Sequence, residues 1–141
     1  MGYRWFDQQN LAPLFPFGHG LSCTAFAYST PKIDRAKDGG FDLAFTVRNT
    51  GKTAGDEGPQ LYLRPPPTQS DHTQFALKAL AAFERIHLAG QSKPVTLHVP
   101  ARKLQHRSTA ESQWKTPAGE RRVCVAASSR DMRLQSLLRA H

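Results

Sequence analysis

The chain has 141 residues, of which 39% are hydrophobic, and a formal net charge of +8. This length fits one domain with its own core, and the composition excludes a disordered chain. No apolar stretch approaches the roughly 20 residues that a membrane-spanning helix needs, and residues 1–10 lack the apolar region of a secretory signal peptide. A membrane is therefore not expected as a partner, and the start of the chain does not indicate its compartment.

The positive charge lies mostly in the second part of the chain. Residues 84–141 contain 11 of the 19 Lys and Arg residues but only 4 of the 11 Asp and Glu residues. Such an excess attracts polyanions, although scattered basic residues also fit solvated strand faces and turns. No nucleic-acid motif accompanies the charge, so nucleic acid is not expected as a partner.

The first 22 residues combine aromatic side chains with proline and glycine and show no periodicity. We expect this segment to form neither a helix nor a strand by itself and to bury its rings against another surface. The rings could pack on a neighbouring domain, because soluble monomers seldom expose a large apolar patch, or they could cover one end of this domain's own core. The rings in question are Tyr3, Trp5, Phe6, Phe15 and Phe17.

Two strands with clear signals follow in the centre of the chain. Residues 41–48 alternate apolar and polar side chains, which predicts a strand with one face in a core and one in water. A turn at residues 49–51 and a polar connection over residues 52–58 lead to a second strand at 60–64, with Leu61 and Leu63 on one face. Three prolines then end this strand, since proline cannot donate to a ladder.

The other elements are weaker but regularly spaced. Strands are predicted at residues 24–33, 84–88, 94–99, 122–127 and 132–138, with turns at 34–40, 89–90 and 116–119 and a loop at 65–73. Residues 101–105 could form one helical turn. Residues 75–83 are ambiguous, because Leu and Ala favour a short helix. About seven short strands near ten residues apart are typical of an antiparallel β-sandwich.

Several stretches form an ordered set of motifs. They are Gly-Tyr-Arg-Trp-Phe-Asp at residues 2–7, Pro-Leu-Phe-Pro-Phe-Gly-His-Gly-Leu-Ser at 13–22, Phe-Thr-Val-Arg-Asn-Thr-Gly at 45–51, Ala-Gly-Asp-Glu at 54–57, Pro-Gln-Leu-Tyr-Leu at 59–63, Phe-Glu-Arg at 83–85 and Pro-Ala-Gly-Glu at 117–120. Together they resemble the C-terminal domain of glycoside hydrolase family 3 β-glucosidases and the joint before it.

This resemblance implies an immunoglobulin or fibronectin type III-like β-sandwich. Residues 1–22 would be the aromatic joint from a preceding catalytic region, and residues 23–141 would be the domain itself. It also implies an extended conformation for residues 75–83, against their helix propensity. The chain departs from the family at Cys23 and His19, where the family commonly has tyrosine, which puts the packing of the joint in doubt.

No catalytic residue is predicted in this chain. The resemblance implies a nucleophilic Asp in a Ser-Asp-Trp motif and an acid Glu, each in a domain that this chain does not match, whereas Ser70 and Asp71 are followed by His72. A retaining glycosidase needs two carboxyls about 5 Å apart. The adjacent acids Asp56 and Glu57 are interpreted as turn residues, so only a longer parent would be a retaining β-glucosidase, secreted or periplasmic.

Cofactors and metals are not expected either. The six His residues are isolated in sequence and do not match zinc-site spacing, and the pair Gly39-Gly40 is interpreted as a turn rather than a phosphate loop. Cys23 and Cys124 could pair or could be unrelated thiols.

Two functions from different classes remain open. In the first, the chain is a structural module that packs on the catalytic domains of its parent through the rings of residues 3–17. In the second, it adsorbs the enzyme to polysaccharide, lignin or an anionic polymer. The side chains expected to carry adsorption are Trp5 or Trp114 together with basic residues such as Arg121 and Arg122.

Overall fold

A computed structural model of the protein describes residues 2–67, 74–108 and 110–140. In chain order the elements are α1 (Tyr3–Gln8), β1 (Phe26–Arg35), β2 (Phe41–Asn49), β3 (Gly55–Glu57), β4 (Gln60–Leu63), β5 (Ala79–Phe83), β6 (Ile86–Leu88), β7 (Ser92–Val99), α2 (Ala101–Leu104), β8 (His106–Ser108), β9 (Gln113–Lys115), β10 (Gly119–Ser128) and β11 (Asp131–Ala140). In these ranges no helix is both long and apolar enough to cross a membrane.

Two antiparallel sheets face each other across one core. One sheet has the order β1-β2-β7 and the other has the order β11-β10-β4-β5. Side chains from both sheets, among them Phe41, Val47, Leu61, Val99 and Val125, meet in a single buried cluster. The predicted antiparallel fibronectin type III-like sandwich is therefore confirmed.

The two main sheets hold seven strands, and two small ribbons add four strands of three residues each. The ribbons are β3-β6 and β8-β9. Strand β3 lies in the stretch that the sequence predicts as a polar connection, so the interpretation of Asp56 and Glu57 as turn residues is wrong. Their backbones pair with His87 and Ile86 of β6, a pairing too short to leave a periodic signal.

Strand β2 follows its sequence pattern closely. Its odd-numbered residues from Phe41 to Asn49 are buried, and the residues between them are more exposed. At its end the side-chain amide of Asn49 donates to the carbonyl oxygens of Thr53 and Leu88, at 2.8 and 3.1 Å. The Asn49 carboxamide oxygen accepts from the hydroxyl of Thr24 at 2.6 Å. Asn49 therefore fixes the turn as well as ending the strand.

Strand β4 is buried on both faces. All four residues from Gln60 to Leu63 lie in the interior, with Leu61 and Tyr62 both 0% exposed. The sequence places Leu61 and Leu63 on one face, and in the structure the opposite face is buried as well. The reason is that the N-terminal part of the chain covers the face that carries Tyr62.

Tertiary contacts decide the conformation of two segments against their local sequence signals: one forms a helix and the other forms a strand. The N-terminal segment forms the short helix α1, against the expectation of no regular structure, because tertiary contacts from Tyr3 and Asp7 hold it. Residues 79–83 form strand β5, since β4 provides a ladder for them, so the extended conformation predicted for residues 75–83 is confirmed for this part, and residues 75–78 are not in a strand. Cys23 is exposed, Cys124 is buried and both are free thiols, so the two do not pair.

Candidate functional site

The N-terminal segment, residues 2–21, is attached to the outer face of the four-stranded sheet. The Tyr3 ring packs edge-on against Tyr62, with 5.7 Å between ring centroids, and lies 5.3 Å from the ring of Phe17. The Tyr3 hydroxyl accepts a hydrogen bond from the backbone N–H of Leu80 at 2.8 Å. One tyrosine therefore joins α1, β4 and β5.

Asp7 forms the second attachment, one helical turn after Tyr3. Its buried carboxylate pairs with the ammonium of Lys78 at 3.0 Å and with the guanidinium of Arg130 at 3.1 Å. The side chains of Asp7 and Lys78 are only 6% and 9% exposed. A buried carboxylate needs such partners. Lys78 directly precedes β5, and Arg130 lies in the turn between β10 and β11.

A third attachment involves the backbone at residues 17 and 18. The N–H of Ser129 donates to the carbonyl of Phe17 at 2.8 Å. Gly18 has a φ of +78°, and a Cβ added there would lie 1.9 Å from the side-chain nitrogen of Gln60. Only glycine fits this position without displacing the Gln60 side chain, which accepts from the Tyr62 hydroxyl at 2.5 Å.

The same segment exposes six large apolar side chains, and we call this set the outward face. Leu14 and Leu21 are 90% and 97% exposed, and Phe15 is 70% exposed. The full set is Trp5, Leu11, Leu14, Phe15, Phe17 and Leu21.

The five rings predicted for interdomain packing thus divide between two surfaces. Tyr3 is bound to this domain, and Phe6 is half-buried with its ring edge-on to Trp5 at 5.3 Å. Trp5, Phe15 and Phe17 belong to the outward face, and the ring of Phe17 also contacts that of Tyr3. The packing of Tyr3 on this domain's own sheet fits the second alternative from the sequence, and packing of the exposed rings on a neighbouring domain stays a prediction.

The residues predicted for surface binding differ in their exposure. Trp114 is 44% exposed, and the guanidinium of Arg102 lies 3.2 Å from its ring centroid. Arg121 is buried, and its guanidinium donates to the carbonyls of Arg64 and Leu104 at 3.1 Å. Burial lowers the pKa of Arg121, and its expected surface role is wrong. Arg122 is exposed on β10.

Among the described residues, the acidic side chains with shifted pKa values are partnered with hydrogen-bond donors. Asp56 accepts from His87 and Arg85, which lower its pKa. The backbone N–H of Gly40, together with His98, lowers the pKa of Asp38, and Lys115 and Gln113 lower that of Glu111. The described ranges contain no group of three His, Cys, Asp or Glu residues placed to hold a metal ion.

Comparison with known proteins identifies the relatives of the chain. The model of the fibronectin type III-like domain family matches residues 57–129. The thermostable β-glucosidase B of Acetivibrio thermocellus is 34% identical over 145 residues, which cover all of this chain and 19% of that protein. The chain therefore spans about a fifth of the length of the curated relatives it matches.

Solved structures show the same relationship. The β-glucosidase DesR of Streptomyces venezuelae, solved with D-glucose, superimposes with a TM-score of 0.91 at 43% identity, over 99% of this chain and 18% of that one. The GH3 β-glucosidase of Bifidobacterium adolescentis superimposes with a TM-score of 0.88 at 29% identity, over 98% of this chain and 20% of that one.

Proposed function

Because the chain belongs to the fibronectin type III-like domain family, we propose that it is the non-catalytic accessory domain of a longer family 3 β-glucosidase. The chain matches the C-terminal part of such enzymes. Its proposed role is to pack on the catalytic part of the enzyme and stabilise it.

The observation that carries this proposal is the two-sided N-terminal segment. Tyr3 and Asp7 hold the segment against the sandwich through a hydrogen bond of 2.8 Å and an ion pair of 3.0 Å. The same segment exposes Leu14, Phe15 and Leu21 to 90%, 70% and 97%. Several large apolar side chains exposed on a segment that is itself held in place are typical of a surface that another body covers.

The charge state of the carboxyls supports a non-catalytic role. A glycosidase needs one carboxyl whose pKa is raised so that it can donate a proton. The shifts resolved for Asp38, Asp56 and Glu111 are all downward, because donors surround these carboxylates. They therefore act as acceptors for basic neighbours, and we expect the isolated chain to leave an aryl glucoside intact.

The packing role is tested in a longer β-glucosidase that carries this domain. Phe15→Ser should lower the melting temperature of the enzyme and should leave that of the isolated 141-residue chain nearly unchanged. Phe83→Ser is the matched control, because Phe83 is 72% exposed and Phe15 is 70% exposed. Equal effects of the two substitutions in the longer enzyme would contradict the proposal.

A deletion gives the larger effect. Removal of residues 23–141 from the longer enzyme should lower its melting temperature or its solubility, because the catalytic part would then expose the surface that the domain covers. A truncated enzyme with unchanged stability and full activity would reject the stabilising role.

A further inference from the structure

A second surface of the domain lies around the β8–β9 ribbon and is separate from the outward face. Arg107 and Trp114 are directly opposite each other in this antiparallel ribbon, so their side chains project from the same face. The guanidinium of Arg102, from α2, lies 3.2 Å from the centroid of the Trp114 ring. Three residues from three elements thus form one surface, which we call the Arg–Trp surface.

The Arg–Trp surface has an excess of positive charge. In the parts of the chain that the structure describes, no carboxylate lies within ion-pair distance of Arg102 or Arg107. Other arginines are paired, such as Arg133 with Asp131 at 2.7 Å and Arg139 with Glu120 at 2.7 Å. Glu111, the acidic residue of the ribbon, is already bound by Lys115 and Gln113. The guanidinium of Arg102 donates one long hydrogen bond, to the side-chain oxygen of Gln105 at 3.4 Å, and both guanidiniums have further N–H groups for an external anion.

The stacking of Arg102 decides which ligand fits. The guanidinium occupies one face of the indole, so that face cannot stack on a neutral sugar. A guanidinium held flat on a ring keeps its in-plane N–H groups for a carboxylate, which it binds through two parallel hydrogen bonds. Trp114 therefore orients Arg102. Trp114 itself is 44% exposed, and this exposed part of its ring can contact the rest of the ligand.

We propose that Arg102, Arg107 and Trp114 form a binding surface for the carboxylate groups of an acidic polysaccharide built from uronic acids. A polysaccharide is favoured over other polyanions because the relatives of the chain are named β-glucosidases and because the exposed part of the Trp114 ring offers an apolar surface to a sugar ring. The surface shares no residue with the outward face, so it does not depend on the packing role.

Affinity electrophoresis of the 141-residue chain in native gels with polygalacturonate tests this proposal. The unchanged chain should be retarded, and Arg102→Gln and Arg107→Gln should each weaken the apparent affinity about tenfold, as loss of a charge-assisted hydrogen bond predicts. Arg48→Gln is the matched control. Arg48 is exposed on β2, and its loss should change the affinity less than about twofold.

Three further measurements make the result decisive. A neutral β-glucan gel should not retard the chain. Trp114→Phe should keep most of the affinity and Trp114→Ala should lose it, with circular dichroism confirming that both are folded. Absence of retardation by polygalacturonate, or equal weakening by Arg48→Gln, overturns the proposal. Equally strong binding of polyglutamate or DNA that Arg102→Gln abolishes also overturns it, because the surface would then bind polyanions in general.

Discussion

Strands β2 and β4 carry similar side chains but lie in different surroundings. In β2 the buried residues alternate with more exposed ones, because its outer face meets water. In β4 every residue is buried, including Gln60 at 8% and Tyr62 at 0% exposure. The difference arises from the N-terminal segment, which forms a third layer on one sheet and leaves the other sheet bare.

The segment is therefore part of the domain's own packing, in addition to its proposed role as a contact to the catalytic part. A flexible linker would not place a carboxylate such as Asp7 at 6% exposure between two cations, since an ordered neighbourhood is needed to offset its desolvation. The rigidity on the inner side also fixes the positions of Phe15 and Leu21 on the outer side. The bare outer face of β2 gives the matched reference for testing this third layer.

The largest expected effect comes from removing the ring beneath the third layer. Tyr62→Ala should lower the free energy of unfolding by about 3–5 kcal/mol, as much as Phe41→Ala in the core between the sheets. Arg48→Ala, on the outer face of β2, should change it by no more than about 0.5 kcal/mol. Urea unfolding of the three variants measures these values, and a Tyr62→Ala cost near that of Arg48→Ala would show that the segment is not a true layer.

The next effect concerns the buried ion pair that joins the segment to the sheet. Asp7→Asn should cost about 2–3 kcal/mol, because it removes charge-assisted hydrogen bonds and leaves the Lys78 ammonium buried without its counter-ion. The control is Asp34→Asn. Asp34 pairs with Lys32 at 2.9 Å but both side chains are more than half exposed, so at most about 1 kcal/mol is expected. Similar losses in the two variants would contradict the buried position of Asp7.

A smaller loss of stability is expected from alanine at Gly18, and comparison with alanine at Gly90 distinguishes the cost of backbone strain from the cost of a steric clash. Gly18 and Gly90 have φ values of +78° and +85°, but only at Gly18 would a Cβ meet another side chain, that of Gln60. Alanine at either position carries the cost of positive φ, and Gly18→Ala should cost about 1–2 kcal/mol more because of the clash. Equal losses, measured by thermal unfolding, would mean that the segment yields to the added methyl group.

Much of the sandwich could be predicted because its signal is local. The alternation of Phe41, Leu43 and Phe45 is enough to specify β2, and proline and glycine mark where strands end. Helix α1 and the buried outer face of β4 could not be predicted in this way. They depend on contacts between residues far apart in sequence, such as Tyr3 with Tyr62 and Asp7 with Lys78.

The candidate surfaces also include features that local sequence predicts and features that depend on the fold. The burial of Arg121 was predictable in principle, because alternation along β10 places Arg121 on the inward face with Val123 and Val125, whereas its expected exposure rested on its charge alone. The contact of Arg102 with Trp114 was not predictable. The two residues are twelve positions apart in sequence, and the contact depends on how α2 sits against the β8–β9 ribbon. The split of the joint rings between two surfaces likewise required the fold.

The weakest interactions are expected on the bare sheet, where one cluster should make stability depend on pH. His98 on β7 contacts Asp42 of β2 at 2.7 Å through Nδ1 and Asp38 of the β1–β2 turn at 3.1 Å through Nε2. These contacts raise the pKa of His98, with Asp42 the largest cause. Asp34 is the register partner of Asp42 on β1 and is itself paired with Lys32.

The sign of the effect follows from the direction of the two shifts. The contribution of His98 is fully present below its unfolded pKa of about 6.5 and is lost as the pH rises through the higher folded value. The contribution of Asp38, whose pKa is lowered, is present above about 3.9 and is lost as the pH falls through the lower folded value. The cluster should therefore stabilise the domain most between these limits.

His98→Gln should lower the melting temperature more at about pH 5.5 than at about pH 9, whereas Thr96→Ala, on the same face of β7, should lower it equally at both. A His98→Gln loss that is the same at both pH values would show that the imidazole does not act as a charged bridge, and the bare sheet would then have no titrating contact of this kind.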